Sequence, residues 1–573
     1  MSSNDTTVSL TILTNGQAIS SSYGVKSVQV SMALNKIPLC RIALIDGDVS
    51  TSEFAASDSQ DFVPGTEIEV ALGFGGKNST VFKGIITRHA LKIREAQSHL
   101  ILDVRHIAIK STLRKRNRYF YDMKDEDVFQ ELFSPYSIDL EADAGTASHV
   151  QLVQYESSDW DFALQRAQAH GKVINVGIDK IKIENPSMDT GEVATIHYGE
   201  NVLSFDGEID ARTQVKKVKV RSWDPDEQEE IELDGEDKNW PSPGNISAST
   251  LAESLTEDPL VLSHGGSMDP EELKSWATGE WSYRQLGKVR ARAKITGDAN
   301  ILPGTLVILK GLGARFSGKA YVTGVNHQVY EGTWETDVQI GLEPNQVQNG
   351  ISSPSHLTNS ELFSGIKGLQ VGTVTSLEDP DAAERIQVKL PMINNEEEGI
   401  WCRYISLDAG EDRGYVFRPE PKDEVLVGFI DNDPSQGVIL GMLYSKKHPS
   451  PIEASNDNME KGFVSKSGIK IIFDDEISQL TIETPGGNKI ILDDDDGSIL
   501  MEDQNGNKGY YSSEGISLES EGAITIKTKG DISMEGMNIS LKAEGEFTAE
   551  GGGGAEISSS GIAVLKGSLV QIN

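Results

Sequence analysis

The densest chemistry in the chain is Asp493-Asp494-Asp495-Asp496. Four adjacent carboxylates are the ligands a hard cation such as calcium takes. Gly497 follows at once, and the preferred reading of the run is a solvated turn between two strands. Soft-metal chemistry has less to work with. The ten histidines are scattered, with no H-E-x-x-H and no paired-cysteine spacing. His89 and His99 fall in one segment and read as solvated strand residues. Cys40 and Cys402 lie far apart and read as two reduced core thiols. Gly551-Gly552-Gly553-Gly554 lacks the Lys-Ser or Lys-Thr of a phosphate loop, so close backbone packing or a bulge is the reading. These residues give no catalytic, cofactor-binding or metal site.

The elements that carry the aspartates are repeats. Gly468-Ile469-Lys470-Ile471-Ile472-Phe473-Asp474-Asp475 recurs nineteen residues on as Gly487-Asn488-Lys489-Ile490-Ile491-Leu492-Asp493-Asp494, and more faintly from Gly506-Asn507-Lys508. The period then shortens to eight: Gly522 and Gly530, then Gly545, Gly553 and Gly561, with Ile516, Ile524 and Ile532 in the same step. Between the glycines apolar and polar residues alternate, as in Ile524-Thr525-Ile526-Lys527, so Ile524 and Ile526 share one face. Short strands at fixed period indicate a β-solenoid or an intertwined β-prism. Each strand buries little alone, and its apolar face needs a partner. A needle of several identical chains supplies one, with Ile516, Ile524, Ile526 and Ile532 as its core.

At 573 residues the chain has room for three or four domains. No apolar run approaches bilayer length. Met1-Ser2-Ser3-Asn4-Asp5 has no basic or apolar stretch of a signal peptide, which predicts a protein made in a reducing cytosol. The net charge of -36 repels nucleic acid and anionic lipid. Residues 451–573 hold 22 Asp and Glu against 9 Lys and no Arg. Stable membrane insertion is not expected.

Residues 1–345 read as β-rich, with strands at Val28–Met32, Glu67–Leu72 and Gln214–Val220. A capping box at Ser158–Asp161 predicts a helix through Leu164 and Ala167, stopping at Gly171. Asp269-Pro270-Glu271-Glu272 opens another. The acidic stretch 224–268 reads as loop or insertion, and 346–365 as a linker. Residues 366–450 hold about five strands, among them Arg385–Pro391 and Asp423–Ile430, which suits a small closed barrel of the OB type. Residues 455–573 form the repeat needle.

The stretch 366–450 resembles the OB domain of VgrG proteins and contractile-phage spikes. The matching residues are Asp379-Pro380, Arg385–Pro391, Trp401, Ala409-Gly410, Gly414, Pro419-Glu420, Asp423-Glu424-Val425, Asp433-Pro434 and Gly441–Tyr444. Lys422 stands where the family commonly has Gly. Pro64-Gly65, Val81–Gly84, Tyr155–Phe162 and Val325-Asn326-His327 resemble the phage hub and late-control-D domain. The repeat resembles the family's β-prism, and Leu565–Asn573 its blunt end.

The resemblance implies a mainly β fold: hub-like β-barrel domains with a few helices, an OB barrel, and a trimeric β-prism needle. It implies a homotrimeric, non-enzymatic spike that joins tube and baseplate to a membrane-piercing tip and helps deliver effectors. A PAAR-like tip protein would seat on Leu569, Val570 and Ile572, and an Hcp-like tube protein would lie beneath the hub. The spike would be cytoplasmic during assembly and outside the cell, or in the target envelope, after firing. A phage-type lysozyme domain is not expected, because the gap from Ser445 to Gly462 is too short, and an iron site at the tip is not expected, because no His or Cys follows His448. The rival reading is a trimeric fibre adhesin that binds glycans through the barrel, with Trp401 and Tyr404 as aromatic candidates.

Overall fold

A computed structural model describes residues 7–572, apart from 95–96, 144, 146–147, 256–257 and 343–364. The expected linker at 346–365 lies outside the described residues except for its last position. The chain divides into two compact units, Met1–Tyr444 and Ser445–Asn573.

The first unit is built on a 13-stranded sheet. Its middle is sewn together from distant parts of the sequence. Gly24–Ala33 pairs on one side with Leu39–Ile45 and on the other with Gly318–Tyr330. Val28, Val30, Ile42, Leu44, Val322 and Val338 are buried in the resulting core, one face of alternating strands closing on another. A second layer holds three helices. Asp159–Ala169 starts at Ser158, whose Oγ accepts from the Asp161 amide at 3.1 Å while donating to the Asp161 carboxylate at 2.8 Å. It ends before Gly171, which sits at φ +66°. Pro270–Leu286 is capped by Asp269, and Asp125–Phe133 carries three acids in its first turn.

Two expectations are corrected. The strand read at 214–220 begins at Val218, after a short 3-10 turn at Ala211–Thr213. The stretch 224–268 is not wholly loop. Glu229–Asp234 pairs antiparallel and Leu260–His264 parallel with Val218–Asp224, and Ala248–Glu253 is a helix. The acid run disguised the strand. Its carboxylates are matched across the ladder, Arg221 meeting Glu230 at 3.0 Å and Glu232 at 2.9 Å, while Ile231 and Leu233 pack inward.

Gln370–Ser376, Ile386–Lys389, Ile400–Tyr404, Gly437–Met442 and Glu424–Phe429 close into a five-stranded barrel. Val374, Ile386, Val388, Ile400, Val425 and Val427 fill it. Cys402 is buried there and Cys40 in the large sheet, both as free thiols. Asp379 accepts from the backbone of Asp381, Ala383 and Arg385 and from the Arg385 guanidinium, at 2.9 and 2.7 Å for the last. That bidentate pair holds the Asp379 carboxyl well below the usual range.

Lys422 occupies the third position of a turn closed by a 3.0 Å bond from the Asp423 amide to the Glu420 carbonyl, with Pro421 before it. Its φ is +84°, which explains why glycine is the natural residue there. Lys422→Gly is expected to stabilise the barrel by up to about 1 kcal/mol. A denaturant midpoint that falls in the variant would show that the exposed lysine contributes something the turn strain does not outweigh.

In the second unit each nineteen-residue repeat is one hairpin. Lys470–Asp474 with Gln479–Glu483, Lys489–Asp493 with Ser498–Glu502, and Lys508–Ser512 with Gly515–Glu519 follow Glu460–Val464 as a continuous antiparallel meander. Gly468, Gly487 and Gly506 hold the same place in every second turn, at φ +89°, +93° and +83°, the left-handed position of a glycine-bulge hairpin loop. The fixed period is thus a fixed turn. Asp494–Gly497 is likewise a turn, with the Asp493 carboxylate accepting from the Asp496 amide at 2.9 Å.

Among the described residues no strand follows Glu519. The eight-residue repeats from Gly522 run in open backbone, so the half-buried strand read at Ile524–Lys527 is absent from the single chain. The physical reason is simple: a strand's N–H and C=O groups need a neighbour, and these have none in one copy.

Candidate functional site: the joint, the repeat sheet and the terminal segment

The barrel is fastened to the large-sheet domain by side chains that bond its backbone. Lys115–Lys124 and Ser148–Ser158 pair as a ribbon. From it, the Tyr119 hydroxyl bonds both the amide and the carbonyl of Leu390, at 3.3 and 3.4 Å. Tyr121 treats Gly399 in the same way, at 3.2 and 3.0 Å. The Gln151 amide bonds the Trp401 backbone on both sides, at 2.8 and 3.3 Å, and donates to the Ser435 carbonyl at 2.7 Å. Burial pushes the Tyr121 hydroxyl up to about 12. Tyr119 and Val153 complete the barrel's own apolar core, so the two domains share one interior. A cleft of about 370 Å³ runs along this joint, lined by His149, Arg166 and Glu272 on one side and Arg385, Trp401 and Arg403 on the other.

Arg166, fully buried, is the hub of a charged cluster beside that cleft. Its guanidinium meets Asp125 at 2.7 Å and Glu272 at 2.8 Å, and stands 2.9 and 3.1 Å from Nε2 of His149 and His170. Both imidazoles also reach the Asp125 carboxylate, at 2.9 and 2.6 Å. Burial pushes the Asp125 carboxyl up, but the Arg166 charge and the histidine hydrogen bonds outweigh it and hold it well below the usual range. Asp125, His149 and His170 converge as metal ligands do. However, Arg166 Nη2 lies within 3.2 Å of all three, where a bound ion would sit. The guanidinium is this cluster's cation, and its work is to tie two helix starts to a third helix and a strand. Histidines scattered in sequence are gathered here by topology; the helix signals at Ser158 and Asp269 pointed to the right elements, and nothing local pointed to their meeting.

The repeat sheet sorts its side chains by face. In register across the strands stand Phe463, Ile471, Ile482, Ile490, Met501 and Leu518, and beside them Phe473, Leu480, Leu492, Ile499, Tyr511 and Ile516. This face is apolar in both rows apart from Lys461 and Gly509, and it is open: Ile516 is 70 % exposed. The opposite face is mixed: a row of Ile472, Thr481, Ile491, Leu500, Tyr510 and Ser517 runs beside a ladder of ion pairs, Lys470–Glu483, Lys489–Glu502 and Lys508–Glu519, at 3.8, 3.0 and 3.1 Å. Ile524, Ile526 and Ile532 are also exposed, as are Leu569, Val570 and Ile572. His89 is half-buried against the Phe62 carbonyl and His99 meets Lys26, both in strands.

Residues 4–331, more than half of the chain, match the Alg8 N-terminal domain. The chain belongs to that family. Residues 370–444 match the Type VI secretion system/phage-baseplate injector OB domain, and they coincide with the barrel. The fold is similar to that of Francisella VgrG. Francisella VgrG, solved in complex with PdpA, is 8% identical in its lidded form over 90% of this chain and 81% of that one, with a TM-score of 0.54. The half-lidded form gives 9%, 90%, 88% and 0.51. An E. coli type VI secretion component described as similar to the T4 tail proteins gp27 and gp5 gives 12%, 75%, 99% and 0.47. At such identities the likeness to VgrG is one of fold. No curated protein sequence matches. No helix among the described residues is long and apolar enough to cross a membrane. In this fold Trp401 belongs to the joint: its backbone is held by Gln151 and its ring lies 5.9 Å from the Arg385 guanidinium. Tyr404 packs against the barrel core.

Proposed function

We propose that this chain is the central spike of a contractile injection machine, acting mechanically and without catalysis. The observation that carries the reading is the repeat sheet. Directly after an injector-type barrel, the chain presents two largely apolar rows of side chains that no other described residue of the same copy covers. A soluble monomer rarely leaves such a face open. Three copies with these faces turned inward would bury them and leave the ion-pair ladders outside, and the eight-residue repeats would gain the backbone partners they lack. The hub would stand on a tube protein within a baseplate. A PAAR-like tip would cover the exposed segment containing Leu569, Val570 and Ile572, because unpaired strand ends with apolar side chains invite pairing by another chain. Effectors would travel on that tip or in the tube.

Sedimentation of the full chain is expected to give a trimer, and removal of residues 566–573 to leave that trimer intact while abolishing capture of a tip protein. A folded monomer with the repeat sheet intact would end the spike reading. A glycan-binding adhesin is favoured by one feature, the stacked Tyr415–Phe417 pair (ring centroids 4.3 Å apart) on the barrel. Glycan-array binding that Phe417→Ala removes would support that alternative.

A further inference from the structure

A second contact between hub and barrel has a different character from the tyrosine ribbon. Leu260–His264 ends at the barrel wall, and residues 264–267 lie along the barrel turn 430–437. The approach is close. A Cβ at Gly265 would meet the Asp431 carboxylate at 3.0 Å, and one at Gly266 would meet the Gln436 side chain at 2.8 Å. The Gly265 amide donates to Asp431, and Gln436 Nε2 donates to the Ser267 carbonyl at 2.9 Å. On the barrel side Asp431 and Asn432 both hold positive φ, +51° and +61°, a costly pair for residues other than glycine. At the centre is His264, 2 % exposed. Its Nδ1 is turned to Gly266, 3.2 Å from both the amide and the carbonyl. Its Nε2 points at the Asp433 carboxylate, 3.4 Å away, and has no closer hydrogen-bond partner.

We propose that residues 264–267 and 430–437 form a protonation-dependent clasp, in which imidazolium His264 locks the hub to the barrel through Asp433 and Asp431. The groups around it fit this role. Asp433 and Asp431 face His264 from the barrel. On the neighbouring strand, Arg221 is engaged by Glu230 and Glu232. On the helix behind, Glu272 is engaged by Arg166 and Asp269 caps its own first turn. Arg385 and Arg403 line the adjoining cleft, and Arg385 is tied to Asp379 and Asp381. Burial lowers the affinity of His264 for its proton, but the facing Asp433 carboxylate more than restores it, so its pKa lies above the ordinary histidine value. The sign follows. The clasp is at full strength below about pH 6.5, the ordinary histidine value, and is lost as pH rises through the raised value of the folded state.

Hydrogen exchange of the full-length protein, read by mass spectrometry and corrected for the intrinsic pH dependence of exchange, tests this. Peptides covering 264–267 and 430–437 are expected to lose protection severalfold between pH 6 and pH 9, while the Tyr119 and Tyr121 seam holds. His264→Gln, which cannot titrate, is expected to flatten that dependence, and Asp433→Asn, at a less buried position, to do the same. Wild-type protection that is flat across this range would overturn the proposal. So would an unchanged pH dependence in either variant.

Discussion

Arg166→Met is expected to cost the first unit about 3–5 kcal/mol, because it strands Asp125 and Glu272 as buried carboxylates with no cation between them. The loss is not simply that of two ion pairs. A buried pair is worth little net, since both ions gave up their water to form it; removing one partner keeps the other's desolvation and deletes its compensation. Methionine fills comparable space, so a cavity contributes little. Scanning calorimetry of the full chain should show the first unit's transition falling by several degrees or more. Arg166→Lys should recover little, because one ammonium cannot span Asp125 and Glu272 as the planar guanidinium does. A variant with wild-type melting would mean that water or rearrangement satisfies both acids. If Asp125→Asn combined with Arg166→Met proved more stable than Arg166→Met alone, the stranded charge would be confirmed as the cause.

The second large effect belongs to the repeat sheet. Ile490 and Lys489 are adjacent in sequence and lie on opposite faces, Ile490 between Ile482 and Met501, Lys489 paired with Glu502. If the apolar face is the inside of a trimer, Ile490→Asp removes three buried side chains at one level, each worth about 1.5–3 kcal/mol, and puts three carboxylates in a dry core. Dissociation of the trimer at temperatures the parent tolerates is the expected result. Lys489→Ser should lose only exposed ion pairs, less than about 1 kcal/mol each. Equal tolerance of both changes in a melting series followed by sedimentation would mean that the apolar face is not the interior.

Much of this was legible from residue order because the signals were local. A hairpin bulge needs glycine at one place, so three identical turns wrote three glycines at equal spacing. Ser158 and Asp269 announced their helices because a cap is a contact within four residues. The barrel strands alternated because one side of each faces a closed interior. What escaped depended on partners far along the chain. Glu229–Asp234 looked like an acidic loop because its neutralising Lys219 and Arg221 sit on another strand. Asp125, His149, Arg166, His170 and Glu272 come from four elements, and no spacing rule joins them. The eight-residue repeats read as strands, but the described residues after Glu519 form none; in the proposed trimer their ladder partners would come from the other copies.

The hairpin repeat also acts as a ruler. Strands in a sheet stand about 4.8 Å apart, so one nineteen-residue unit, two strands and their turns, is worth about 9.6 Å of sheet. Because a whole hairpin is even in strand number, gaining or losing one returns the chain to the same direction, with the same face apolar and the same lysine opposite the same glutamate. A half unit would reverse the path of everything that follows. Length in this part of the molecule can therefore change by duplication in fixed steps, leaving the barrel before it and the tail after it untouched, and a family of such chains should differ in reach by whole multiples of one hairpin.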